Sequence, residues 1–113
     1  MKSDITDRLF GSLTVCRRAG FIVAGFDSAK DSLAEGKAKL ILVAADASEK
    51  TKKEISYYAD RANVPVMSTP AVMDEYERHI GKRSAVIAVC NEGFADSIRD
   101  KLTSDGSQPL AES

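Results

Sequence analysis

Long apolar runs are missing from this chain. The continuous ones, Leu40–Ala45 and Ala85–Cys90, are six residues each, against the roughly 20 that a membrane-spanning helix needs, so no such helix is expected. Cysteine is scarce. Cys16 and Cys90 stand 74 positions apart with no CxxC, which leaves no disulfide framework and no metal-binding ribbon. Both sit in apolar stretches and read as small buried hydrophobes of a reducing compartment. The single histidine, His79, has no partner at catalytic or metal-ligand spacing and reads as a surface or helix-end residue. GxGxxG, GxxxxGK[ST] and GxSxG are all absent, and with them the usual sequence marks of dinucleotide, P-loop and hydrolase chemistry. The expectation is a protein that is not an enzyme and carries no metal or cofactor. A strong excess of one charge is missing too: 16 basic residues face 17 acidic ones, net -1 with pI about 5.8. Nucleic-acid binders usually show a basic balance, so this number counts against one. Aromatics are only 6%, which leaves few rings for stacking on bases.

What is present is ordinary for a folded domain. The chain has 113 residues, 43% apolar and 29% charged, which fits one globular unit. No internal repeat or linker interrupts it. The opening MKSDITDR is too acidic and polar for a signal peptide, and a cytoplasmic location is expected. Acidic residues gather near the end: residues 92–113 hold two bases and five acids, so the main body, 1–91, carries +2. Residues 103–113, TSDGSQPLAES, read as a loose tail, which puts the expected domain at 1–102.

Within that domain, helical and extended patterns alternate. Ile5, Leu9, Leu13 and Cys16 make the apolar face of a first helix over 5–18, closed by Arg17, Arg18 and Gly20. FIVA (21–24) reads as a short strand ended by Gly25. A second helix is expected to start at Asp27 or Ser28, both good N-cap types, and to end at Gly36. LILVAA (40–45) and AVIAVC (85–90) are too short for helices and suit strands buried on both faces. Between them, Ser48 should cap a helix over 49–62 with Ile55, Tyr58, Ala59 and Ala62 inward. Val66-Met67 is a brief strand. Pro70 should open a fourth helix with Val72, Met73, Tyr76 and Ile80 inward. A last helix starts at Asn91 or Glu92 and buries Phe94, Ala95, Ile98 and Leu102. Strands buried on both faces need helices on both sides, so the expected fold class is α/β, a three-layer α/β/α sandwich.

Few residues invite chemistry. Asp46 follows a buried strand, where α/β sites often lie, yet no acidic cluster accompanies it and it reads as a residue that caps the following helix. Gly25 precedes a helix whose free N–H groups and partial positive charge suit a phosphate or a base edge, although a glycine there can equally serve as a simple turn.

Four stretches, LFGSLTVCRRAGFIVAG (9–25), EGKAKLILVAADASEKTKK (35–53), YYADRANVPV (57–66) and IGKRSAVIAVCNEGFADSI (80–98), resemble the ribosomal L7Ae/L30e superfamily, most of all its small bacterial members. The resemblance covers residues 5–102 in order and implies a compact sandwich with a four-stranded mixed sheet. It also implies binding to structured RNA, in particular kink-turns with tandem sheared G·A pairs, where base edges are accessible. The partners implied are structured RNA, ribosomal RNA included, and the ribosome or other translation proteins, with no membrane. Family members meet the G·A pairs through Gly-x-Asn-Glu-x-x-Lys, and cover the flipped-out nucleotides with the loop before the last strand. By that pattern Gly25 is the family glycine and Phe26 takes the variable place. Asp27 and Ser28 replace asparagine and glutamate, and Asp31 replaces a phosphate-binding lysine. The loop positions are Lys82, Arg83 and Ser84.

These departures have physical weight. An ionised aspartate accepts but cannot donate, unlike asparagine. Asp31 facing phosphate replaces attraction by repulsion and removes a released counterion. Lys30, about 100° around the helix, compensates in part. Ser28 with Asp31 also fits a capping-box variant. Lys82 and Arg83 are the foremost basic residues for an RNA face, with Arg17, Arg18, Lys37 and Lys39 as further ones. Lys50, Lys52 and Lys53 read as a solvated helix face. Phe26 either stacks on a base, packs on a protein partner, or folds back on the second helix. Two functions follow: an RNA-binding protein of the translation apparatus, or a protein-interaction module that kept the fold and lost the RNA site.

Overall fold

A computed structural model describes residues 2–104. Its elements run α1 (Lys2–Arg18), β1 (Ile22–Ala24), α2 (Phe26–Ala34), β2 (Leu40–Val43), α3 (Glu49–Arg61), β3 (Val66–Ser68), α4 (Met73–Ile80), β4 (Val86–Val89) and α5 (Glu92–Ser104). The side chain of Ile5 and residues 105–113 of the expected tail lie outside the described residues. The four strands form one sheet in the order β1-β4-β2-β3. β4 pairs antiparallel with both β1 and β2, and β2 pairs parallel with β3, so the sheet is mixed.

The two-residue period of the strands sorts the core into two layers. Leu40, Leu42, Ile87 and Val89 point to one face, where they meet Leu9, Leu13 and Cys16 of α1, Tyr76 and Ile80 of α4, and Ile98 and Leu102 of α5. Ile41, Val43, Val86 and Ala88 point to the other, against Ala29 and Leu33 of α2 and Ile55 and Ala59 of α3. Both central strands are buried along their whole length, as their unbroken apolar wording requires. The result is the expected α/β/α sandwich. Among the described residues no helix is long and apolar enough to cross a membrane.

Two helix starts and one capping residue differ from the sequence reading for tertiary reasons, and α1 and α5 run past their expected ends, to Lys2 and Ser104. α2 begins at Phe26, with Gly25 as an N-cap that supplies no side chain. The Gly25 N–H is already bonded to the Val86 carbonyl at 2.9 Å, and the chain turns into the helix immediately after it. Asp27 and Ser28 therefore lie inside the first turn, and the Ser28–Asp31 capping box does not form. α4 begins at Met73, three residues past Pro70. The stretch between stays extended because the Thr69 N–H donates to the Val43 carbonyl (2.9 Å) and the Ala45 N–H to the Ala71 carbonyl (2.8 Å). Val72 and Met73 are consequently half-buried, while Tyr76 and Ile80 are buried. The third difference is Asp46. Ser48 caps α3, its Oγ accepting from the Thr51 N–H at 3.1 Å. Asp46 instead accepts the Met73 N–H at 3.0 Å, capping a helix 27 residues away whose own N-cap, Val72, has no polar side chain.

The cysteines are both free, Cys16 buried and Cys90 half-buried. Burial pushes the Cys16 thiol up to about 11. His79 is exposed at the end of α4 and stacks on Phe10, ring centroids 4.2 Å apart.

Candidate nucleic-acid interface

The antiparallel pairing of β1 with β4 builds one corner of the molecule. Ala24 at the end of β1 lies opposite Ile87 near the start of β4. The turn into α2 and the loop that precedes β4 must therefore be neighbours. Gly25 has φ 109 and ψ 150, a conformation that is essentially glycine's alone. Lys82 lies across it: a Cβ on Gly25 would stand 3.2 Å from the Lys82 Nζ. The same ammonium donates to the Ala24 carbonyl at 3.3 Å. The first hydrogen bond of α2 runs from the Ala29 N–H to the Gly25 carbonyl. The preceding amides have no side-chain cap, which leaves donors and a partial positive charge beside the lysine.

Arg17 lies beside the same loop, at Gly81. Gly81 ends α4 in the left-handed region, φ 95, and a Cβ there would come within 3.0 Å of the Arg17 guanidinium. The last turn of α1 thus sets a second cation beside the loop that carries Lys82. In the sequence Arg17 ranks only among the further bases. Its proximity depends on how α1 packs against α4, and no local pattern carries that.

The remaining expected site residues are distributed unequally. Arg83 is exposed but ion-paired with Asp74 of α4. Ser84 is buried, and its hydroxyl donates to the Lys82 carbonyl at 3.3 Å, so it shapes the loop rather than facing outward. Lys37 is not at the corner. It lies beyond the opposite end of α2, about 13 Å of helix away at 1.5 Å per residue, and pairs with Glu35 at 3.3 Å. Asp27 and Asp31 are exposed, and neither enters an ion pair among the described residues. Ser28 is half-buried. Lys30 turns toward α3, its ammonium 5.1 Å from the centre of the Tyr58 ring. Phe26 is half-buried and meets the Tyr58 ring edge-on at 6.5 Å, so it packs on α3 rather than standing free. No group of three or more metal-ligating side chains is gathered among the described residues.

A mixed four-stranded sheet between two helical layers, with a glycine-entered helix beside a basic loop, defines an α/β/α sandwich of the ribosomal-protein type. The chain belongs to the ribosomal protein L7Ae/L30e/S12e/Gadd45 family, whose model matches residues 7–97. It is similar to large ribosomal subunit protein eL30B of Schizosaccharomyces pombe, 34% identical over 92 residues, covering 80% of this chain and 79% of that one. It is also similar to RNA-binding protein YlxQ of Bacillus subtilis, 33% identical over 92 residues, with 79% and 89% covered. A Bacillus halodurans protein of unknown function shares the fold with a TM-score of 0.78 at 23% identity, covering 84% of this chain and 96% of that one. The Giardia lamblia 15.5kD RNA binding protein does so with a TM-score of 0.72 at 15% identity, covering 89% and 87%.

Proposed function

We propose that this protein binds structured RNA, of the kink-turn kind, at the corner formed by Gly25, the first turn of α2, Lys82 and Arg17. One observation carries the reading: the Lys82 ammonium lies over a glycine-only turn that opens an uncapped helix. A turn without a Cβ permits a base edge to approach the backbone closely, and the helix amides and the two cations meet phosphate. The curated relatives carry ribosomal or RNA-binding names, which supports the same function here, without catalysis and in the translation apparatus. The RNA-binding unit in this reading is residues 1–102, with 103–113 outside it. The competing protein-interaction reading draws on the acidic pI, on Asp31 and on an exposed Phe26, and the half-buried Phe26 ring against Tyr58 removes the last of these.

The test is filter binding over a salt series, with a kink-turn RNA and a control whose G·A pairs are mutated. The kink-turn RNA should bind more tightly. Lys82→Ala should lower the slope of log affinity against log salt by about 0.9, one phosphate contact on a duplex. Asp31→Lys should strengthen binding by restoring an attractive charge. Equal affinity for the two RNAs would sink the kink-turn reading, and absence of binding at low salt would sink RNA recognition altogether.

A further inference from the structure

The side of α2 that faces α3 carries a row of rings that the kink-turn reading does not use. Phe26, Tyr58 and Tyr57 form a continuous row of rings, each meeting the next edge-on. Centroids are 6.5 Å apart for Phe26–Tyr58 and 5.2 Å for Tyr57–Tyr58. The outermost ring, Tyr57, is 57% exposed, and Val15 is the only other exposed large hydrophobe among the described residues. Cations interleave with the rings. Lys30 lies over Tyr58 at 5.1 Å and Arg61 over Tyr57 at 5.5 Å. Two adjoining hollows of about 410 and 500 Å³ share Lys30 and Tyr58 in their walls, and Lys53 lines the first. Glu54 and Asp31 stand on their rims, so three cations face two acids.

We infer that this α2–α3 face is a stacking platform for unpaired nucleotides that flank the structured RNA. An exposed tyrosine offers a flat apolar surface to any base, and neighbouring lysine and arginine follow the backbone phosphates. Continuity argues for RNA as the occupant. Phe26, the first ring of the row, directly follows Gly25, so the platform begins where the proposed RNA corner ends. The inference rests on that RNA reading but makes a separate demand, that single strands bind without a kink-turn.

The experiment uses the full chain with fluorescently labelled hexauridylate, followed by anisotropy at low salt, and the kink-turn RNA assayed in parallel. Tyr57→Ala should weaken hexauridylate about tenfold or more, as loss of one stacked base implies, with Tyr57→Phe restoring affinity. Lys53→Ala should lower the salt slope by about 0.7, one single-strand phosphate contact. Tyr57 is exposed, so its variants should fold, and a thermal melt checks this. Hexauridylate that binds through Tyr57 while the kink-turn RNA does not would remove the kink-turn reading and leave the platform standing. Hexauridylate that fails to bind, or binds equally to Tyr57→Ala, overturns the platform. So does a protein segment that takes the face where hexauridylate does not.

Discussion

The two helical layers use aromatic residues in opposite ways. Under α1, α4 and α5, Phe10 and Tyr76 are buried in the core and Phe21 and Phe94 are partly buried against it. Under α2 and α3, the buried apolar side chains are alanine, valine, isoleucine and leucine, Phe26 and Tyr58 are partly buried against them, and Tyr57 stands exposed at the rim. Tyr76 shows the first use: it has no exposed surface, and its hydroxyl is 2.6 Å from Thr69 Oγ1. Tyr57, with more than half its surface in water, shows the second. A ring enclosed by neighbours contributes to stability. A ring left in solvent beside cations contributes little to the fold and stays available to a ligand. The sheet supplies the same kinds of residue to both faces, so the difference lies in the helices.

This contrast is open to direct measurement. Tyr76→Ala should cost about 3–5 kcal/mol in urea unfolding, as for other buried rings, because it leaves a ring-sized void in the larger layer and removes the 2.6 Å bond to the Thr69 hydroxyl. A cost below ~1 kcal/mol would mean that layer repacks freely, and the contrast would fail. Alkaline pH probes the same layer. The Cys16 thiol is raised by burial from 9.0 to about 11, so below pH 9 its contribution is fully present. As pH rises, the unfolded chain loses this proton first, and stability should fall by about 1.4 kcal/mol per pH unit until the folded thiol titrates. Cys16→Ala should flatten the profile from pH 9 to 10 in a pH series of urea midpoints. Burial also raises Tyr76, so decline above pH 10 should persist in that variant.

Gly25→Ala tests the corner between the layers. The new Cβ must hold a glycine-only conformation and displace the Lys82 ammonium, for about 1–3 kcal/mol of strain, together with weaker binding to kink-turn RNA. The smallest effect belongs to Tyr57→Ala, which should change stability by no more than about 0.5 kcal/mol. A larger loss would show that Tyr57 belongs to the core and would end the distinction drawn above.

Several features were legible locally. The unbroken apolar runs at 40–45 and 85–90 became the two central strands, because only a strand covered on both faces buries every side chain. Ser48 caps α3 as its residue type suggests. Gly25 and Lys82 both fall on positions of the family's RNA-contact pattern, and the β1–β4 register brings them together. Other features were not legible. Asp46 looked like the cap of the helix it precedes but serves α4, since a carboxylate at the end of a central strand reaches across to whichever helix start lies beside it. Lys37 ranked behind Lys82 but in the same set of candidate bases, yet the two lie beside opposite ends of α2.

By itself the sequence determined which segments are helix and strand and which faces they bury. Period and residue size act over a few neighbours, and those neighbours are written in order along the chain. Only the tertiary structure decided which charges share a corner. Arg17 meets Gly81, Arg83 is taken by Asp74, Ser84 is buried and Phe26 packs on α3. Each of these depends on how far apart two elements end up in space, and electrostatics between exposed side chains weakens within about 8 Å at physiological salt. The strand order β1-β4-β2-β3 set those distances.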